Sequence, residues 1–142
     1  MVNAVIEDIA MSGEGNHFLV LLRTETDEIL PIVVDSLQAM ALVAARDREE
    51  QPARPHTHDL MLSMIELLGA KVVRVQITDL REGTFFGQVI LDRGGIEVEL
   101  DSRPSDALAL AARADCPILV SKAVMALHAF TDELSDSDGF EA

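Results

Sequence analysis

KVVRVQITDLREGTFFGQVILDRGGIEVEL, residues 71–100, decides the fold. Its first ten residues alternate β-branched with polar side chains, the pattern of a strand with one buried face. REGT is a turn. FFGQVILD and GIEVELD then read as a hairpin closed through Arg93, Gly94 and Gly95, where glycine supplies the backbone freedom a short hairpin turn demands. Strand, turn, strand, turn, strand is the grammar of an antiparallel meander.

Working outward, VNAVIEDIAM and HFLVLLRT read as another hairpin, with SGEGN as its turn. ILPIVV is a short apolar strand whose Pro31 cannot donate to a ladder, so it belongs at an edge or at the strand's start. Ser36 is expected to cap a helix, LQAMALVAARDRE, with Leu37, Met40, Ala41 and Ala44 as its core stripe. Thr57 is expected to cap a second, HDLMLSMIELL, burying Leu60, Met61, Met64, Ile65 and Leu68, with Gly69 as its stop. After the last hairpin come a helix in RPSDALALAARA with Pro104 in its first turn, a short strand in CPILV, and a final helix capped by Ser121.

Strands outnumber helices and occur both as hairpins and as strand–helix pairs. The expected fold class is therefore α+β, a compact mixed β-sheet with hairpins and several helices packed against it. No glycine-rich loop of the dinucleotide or Walker type is present, which argues against a Rossmann fold. Residues 1–130 are expected to form one domain and 131–142, TDELSDSDGFEA, an acidic disordered tail.

Composition narrows the function classes. The 142 residues carry 11 basic and 25 acidic side chains, a net charge of −14. Without the tail's acids the balance is still −9, 11 basic against 20 acidic. Such a surface repels nucleic acid at long range and weighs against a high-affinity DNA-binding module. It leaves room for an enzyme that grips a phosphodiester through a local arginine patch or an ion. The apolar runs are short and punctuated, no targeting signal stands out, and the single cysteine, Cys116, reads as a buried structural thiol. A cytoplasmic protein without membrane contact is expected.

Two clusters carry the chemistry: RPHTHDL at 54–60 and DSRPSDA at 101–107. Both place Arg-Pro, a small polar residue and Asp at the opening of a helix. One reading is purely local, with each aspartate favouring its helix dipole. The other is a shared site, because helix starts present open N–H groups to anions and an arginine clamps phosphate bidentately. His56 and His58 are too few to specify zinc. Arg103 is also suited to pairing with Asp59, Asp101 or Asp106.

With LPIVV, FFGQVIL and PILVSKAV, these motifs make the sequence resemble the bifunctional nuclease family from Val2 to about Leu127. The resemblance implies a homodimer or higher homo-oligomer that degrades DNA and RNA with Mg²⁺ or Mn²⁺. It marks Arg54, His58 and Asp59 in the first motif, and Asp101, Arg103, Pro104, Ser105 and Asp106 in the second. The mechanism expected on this basis is metal-assisted hydrolysis. Asp59, Asp101 and Asp106 hold the ion, His58 orients or deprotonates water, and Arg54 and Arg103 stabilise the phosphorane. Arg54, Arg103 and Ser105 contact substrate. One departure stands out: Asp35 and Gln38 occupy positions where the family usually carries glycine and glutamate. The competing expectation is a non-enzymatic homo-oligomeric structural or regulatory module with salt-bridged Arg/Asp motifs.

Overall fold

The computed structural model describes residues 1–11, 13, 17–46 and 54–131, so the predicted tail beyond 131 and the end of the predicted first helix lie outside the described residues. The fold is α+β. Among the described residues, eight strands form one mixed sheet in the order β6-β5-β4-β7-β1-β2-β3-β8. They are β1 (Val2–Met11), β2 (Phe18–Thr24), β3 (Glu28–Val34), β4 (Ala70–Arg81), β5 (Thr84–Arg93), β6 (Ile96–Ser102), β7 (Ile118–Val120) and β8 (Phe130–Thr131). Within the described residues four helices pack against the sheet: α1 (Ser36–Arg46), α2 (Thr57–Leu67), α3 (Pro104–Ala114) and α4 (Lys122–His128).

The meander of residues 71–100 forms as the alternation demands. Glu82 and Gly83 have positive φ between β4 and β5, and Gly94 and Gly95 do so between β5 and β6. This is the geometry of tight two-residue hairpins. The halves of the sheet join at β7, which runs parallel to β4 and antiparallel to β1. Pro31 sits opposite Leu21, while β8 pairs only with Glu28 and Ile29, so the proline's missing N–H falls on an open edge.

Register keeps one face apolar across the sheet. Leu22, Leu30, Val75, Ile77, Val89, Ile118 and Val120 share it and form one cluster with Ala107, Leu108 and Leu110 of α3. Each fully buried Leu or Ile there contributes about 1.5–3 kcal/mol. Behind β4–β6 the face is polar: Arg74 holds Glu97 through two N–H···O bonds of 3.0 and 2.8 Å and donates to Gln76.

Two predicted helix stripes are wrong. Helix α1 buries Ala39, Leu42 and Ala45, whereas Leu37 and Met40 face solvent. Helix α2 directs His58 inward, with Leu62 and Ile65 packed on the core, and leaves Leu60, Met61, Met64 and Leu68 exposed. Both helices are apolar on more than one side, so periodicity alone does not choose the buried one. The expected caps also shift by one residue. Asp35 accepts from the Gln38 N–H at 2.8 Å while the Asp35 N–H donates to Gln38 Oε1 at 2.9 Å, a reciprocal capping box in place of a Ser36 cap. His56, not Thr57, is the N-cap of α2. Ser121 caps α4 as expected.

Candidate functional site

The two motifs meet. His58 and Asp106 stand in the first turns of α2 and α3, and His58 Nε2 lies 2.9 Å from Asp106 Oδ1. The His58 side chain is 11% exposed and that of Asp106 is 49% exposed, so the imidazole lies behind the carboxylate and the carboxylate faces water.

One residue along, Asp59 is engaged at both oxygens. Its Oδ2 accepts the His56 N–H at 2.9 Å, and its Oδ1 accepts from Arg113 Nε at 2.8 Å. The His56 N–H and the Arg113 guanidinium together hold the Asp59 carboxyl below its ordinary range, against the opposing effect of burial. Arg113, in the last turn of α3, is 6% exposed at its side chain and also donates through Nη1 to Ala109 O at 3.2 Å. Sequence reasoning missed it. An arginine near a helix C-terminus reads as a complement to the dipole, and nothing in its neighbourhood points to a carboxylate 54 positions away.

Helix α3 opens differently. Arg103 is its N-cap, Pro104 is its first residue, and no side chain caps the turn. Proline removes one orphan donor, leaving the Ser105 and Asp106 N–H groups without partners inside the helix. Ser105 Oγ is buried and has no hydrogen-bond partner among the described residues. Arg54 and Arg103 are both exposed, and neither guanidinium makes an ion pair or hydrogen bond with the described residues. The expected pairing of Arg103 with an aspartate is therefore replaced by Arg113 on Asp59 and His58 on Asp106.

Glycine at 87 lets the second motif sit against the sheet. A Cβ there would lie 3.1 Å from Ser102 O and 3.4 Å from Pro104 Cα, both backbone atoms that cannot swing aside. The strand-to-helix turn thus rests directly on β5. FFGQ already carried that signal, since glycine inside a strand marks a close backbone approach.

The carboxylates do not fit a protein-held Mg²⁺ or Mn²⁺ as expected. Asp59 is engaged at both oxygens by a backbone donor and a guanidinium, Asp106 shares one oxygen with His58, and Asp101 is exposed near the end of edge strand β6. Among the described residues no three His, Cys, Asp or Glu side chains converge as a ligand set. Gln38 is occupied in the α1 capping box, so its amide has a structural use there. A cavity of about 590 Å³ lies elsewhere, lined by Asn3, Arg46, Asp115 and Cys116, and no motif residue lines it. Cys116 is half-buried, and burial raises its thiol pKa, consistent with an inert structural role.

Comparison with known proteins covers most of this architecture. Residues 19–133 match the family model described as the bifunctional nuclease domain. An uncharacterized protein of Mycobacterium tuberculosis (strain H37Rv) is 40% identical over 113 residues, covering 80% of this chain and 66% of that protein. Bifunctional nuclease 1 of Arabidopsis thaliana is 33% identical over 111 residues, 75% of this chain and 34% of the relative. Bifunctional nuclease 1 of Oryza sativa subsp. japonica is 32% identical over 121 residues, 82% of this chain and 36% of the relative. The chain thus spans about two thirds of the bacterial relative and about a third of the plant ones.

Proposed function

The chain belongs to the bifunctional nuclease domain family, and from that premise we propose that it hydrolyses phosphodiester bonds of DNA and RNA at the junction of α2 and α3. The observation carrying this reading is the His58–Asp106 contact between the two motifs, flanked in sequence by two exposed arginines that pair with no described residue. Arg54 and Arg103 clamp the phosphate, where their charge offsets the field of an acidic chain. The open N–H groups at the start of α3 add donors where negative charge develops at phosphorus. Asp106 presents its solvent-facing oxygen to the attacking water, and His58 behind it orients the carboxylate and shares the proton.

Mg²⁺ or Mn²⁺ enters this proposal as an assay variable, and no step is routed through it. The test is cleavage of single-stranded DNA and RNA by the wild type, Asp106→Ala and Arg103→Ala, with each ion and with a chelator. Loss of activity in both variants, with the fold intact, supports the site. Full activity in Asp106→Ala removes it.

Self-association is the second part of the proposal, and it also supports the rival reading of a non-enzymatic module. Leu60, Met61, Met64, Leu67 and Leu68 of α2 and its C-cap lie open to solvent, Leu67 with 87% of its surface exposed. On the edge strand, Leu100 pairs opposite Val89 and Val98 opposite Leu91, so they continue the helix-bearing face, yet both remain exposed. Clustered apolar exposure of this kind marks interaction surfaces. Among the charged residues of α2, Glu66 alone makes no ion pair with a described residue, so a second copy meets little of the chain's repulsive charge there.

No helix among the described residues is long and apolar enough to cross a membrane. The expected cytoplasmic location is compatible with that.

A further inference from the structure

We infer that Arg113, outside both motifs, is the positioning residue for His58; this rests on the function proposed above. His58 and Asp59 are consecutive in α2, yet their partners in α3, Asp106 and Arg113, are seven residues apart. Seven residues are two helical turns, about 10 Å along one face of α3. The first turn of α2 therefore crosses α3 and is fastened to it at two points. A single contact at Asp106 leaves α2 free to pivot about it. The second contact fixes the rotation of α2 and with it the direction of the His58 ring.

The second fastening is stiff. The Arg113 guanidinium is anchored to its own helix through Nη1 to Ala109 O at 3.2 Å and passes that anchorage to Asp59 through Nε at 2.8 Å. Asp59 passes it to the helix start by accepting the His56 N–H at 2.9 Å. The path from α3 backbone to α2 backbone contains one arginine and one carboxylate. Lysine at 113 keeps the charge without the two-pronged planar geometry. Farther along, Leu62 and Ile65 hold α2 on the core independently of this pair. Changing Arg113 therefore loosens the first turn while the helix remains docked.

The experiment compares wild type, Arg113→Lys and Arg113→Ala by steady-state cleavage of a single-stranded oligonucleotide and by NMR of the His58 imidazole nitrogens. In the alanine variant kcat falls about 100-fold with KM within about threefold, the scale of a small misplacement of a reacting group. In the lysine variant kcat falls about tenfold on the same argument. Millimolar guanidinium restores part of the alanine variant's kcat and returns its His58 resonances toward wild type. An Arg113→Ala protein that folds, keeps wild-type His58 resonances and ignores guanidinium overturns the inference. Should the alanine variant not fold, the lysine variant decides: unchanged kcat and unchanged His58 resonances overturn it. A wild type without nuclease activity removes the proposed function alone. The clamp then stands or falls on whether the His58 resonances move and return.

Discussion

The first turn of α2 and the first turn of α3 look alike in sequence and differ in almost every contact. Each has Arg-Pro shortly before an aspartate at the third helical position. In α2 that aspartate is consumed: Asp59 closes the helix start through the His56 N–H and holds a buried arginine. In α3 the corresponding Asp106 bonds one histidine and keeps half its surface open, above a turn that no side chain caps. One turn is fastened and the other is left available for a ligand. Sequence identity at a motif position does not assign the same role to both carboxylates; the partners do.

The largest expected effect separates the two aspartates by activity. Asp106→Ala should lower kcat for oligonucleotide cleavage by roughly 10²–10⁴, the usual contribution of a positioned acid–base group. Its thermal stability should fall modestly, by about 1 kcal/mol, because the one hydrogen bond lost leaves the His58 ring, 11% exposed, without its partner. Equal activity loss with a collapsed melting temperature would erase the contrast between the turns.

Asp59→Ala adds a stability cost to the loss of kcat expected when the clamp that positions His58 opens. It strands Arg113, whose side chain is 6% exposed, without its counter-charge. Removing one member of a buried pair costs about 3–5 kcal/mol, and because Asp59 is itself 34% exposed the expected loss is smaller, about 2 kcal/mol. Chemical denaturation checks this through the midpoint at constant slope. Arg103→Ala and Arg54→Ala should leave that midpoint unchanged, since neither side chain has a partner among the described residues to strand, while raising KM for the oligonucleotide.

Much of the fold was legible. Hairpin turns announced themselves as Glu-Gly and Gly-Gly between alternating runs, and Gly69 and Ser121 bounded their helices as expected. Caps slipped by one where a neighbour set the helix start: Asp35 caps in place of Ser36, and Asp59 reaches back to the His56 N–H and so makes His56, not Thr57, the N-cap. Stripes failed where a helix carries apolar residues on two sides, because periodicity reports a face and burial depends on the neighbour. In the site, each motif could be read alone, and the meeting of His58 with Asp106 was a hypothesis that the sheet order made real. Arg113 was invisible, since its meaning lies entirely in where α2 crosses α3.

The exposed side of α2 gives the next prediction. Met64→Glu or Leu67→Glu adds charge where the wild-type side chain already meets water, so stability should change by no more than about 0.5 kcal/mol. If two copies meet through this face, the molecular mass from light scattering should fall to that of one chain. An unchanged mass would place self-association elsewhere or remove it.

The smallest effect concerns pH and isolates the fastened turn. Folding depresses the Asp59 pKa below its ordinary 3.8, through the His56 N–H and Arg113. A depressed carboxylate contributes stability that is complete above its unfolded pKa and disappears as pH falls through its folded value. The stability gap between wild type and Asp59→Asn should therefore be constant near neutrality, begin to close as pH drops past 3.8, and close further below that. Asparagine still accepts from the His56 N–H through its amide oxygen, so the pH-dependent part reports the charge on Asp59, favoured first by the His56 N–H and then by Arg113. Urea midpoints between pH 7 and 3 measure it. A gap that stays flat through the acid range would mean that the Asp59 charge contributes nothing to holding α2 on α3.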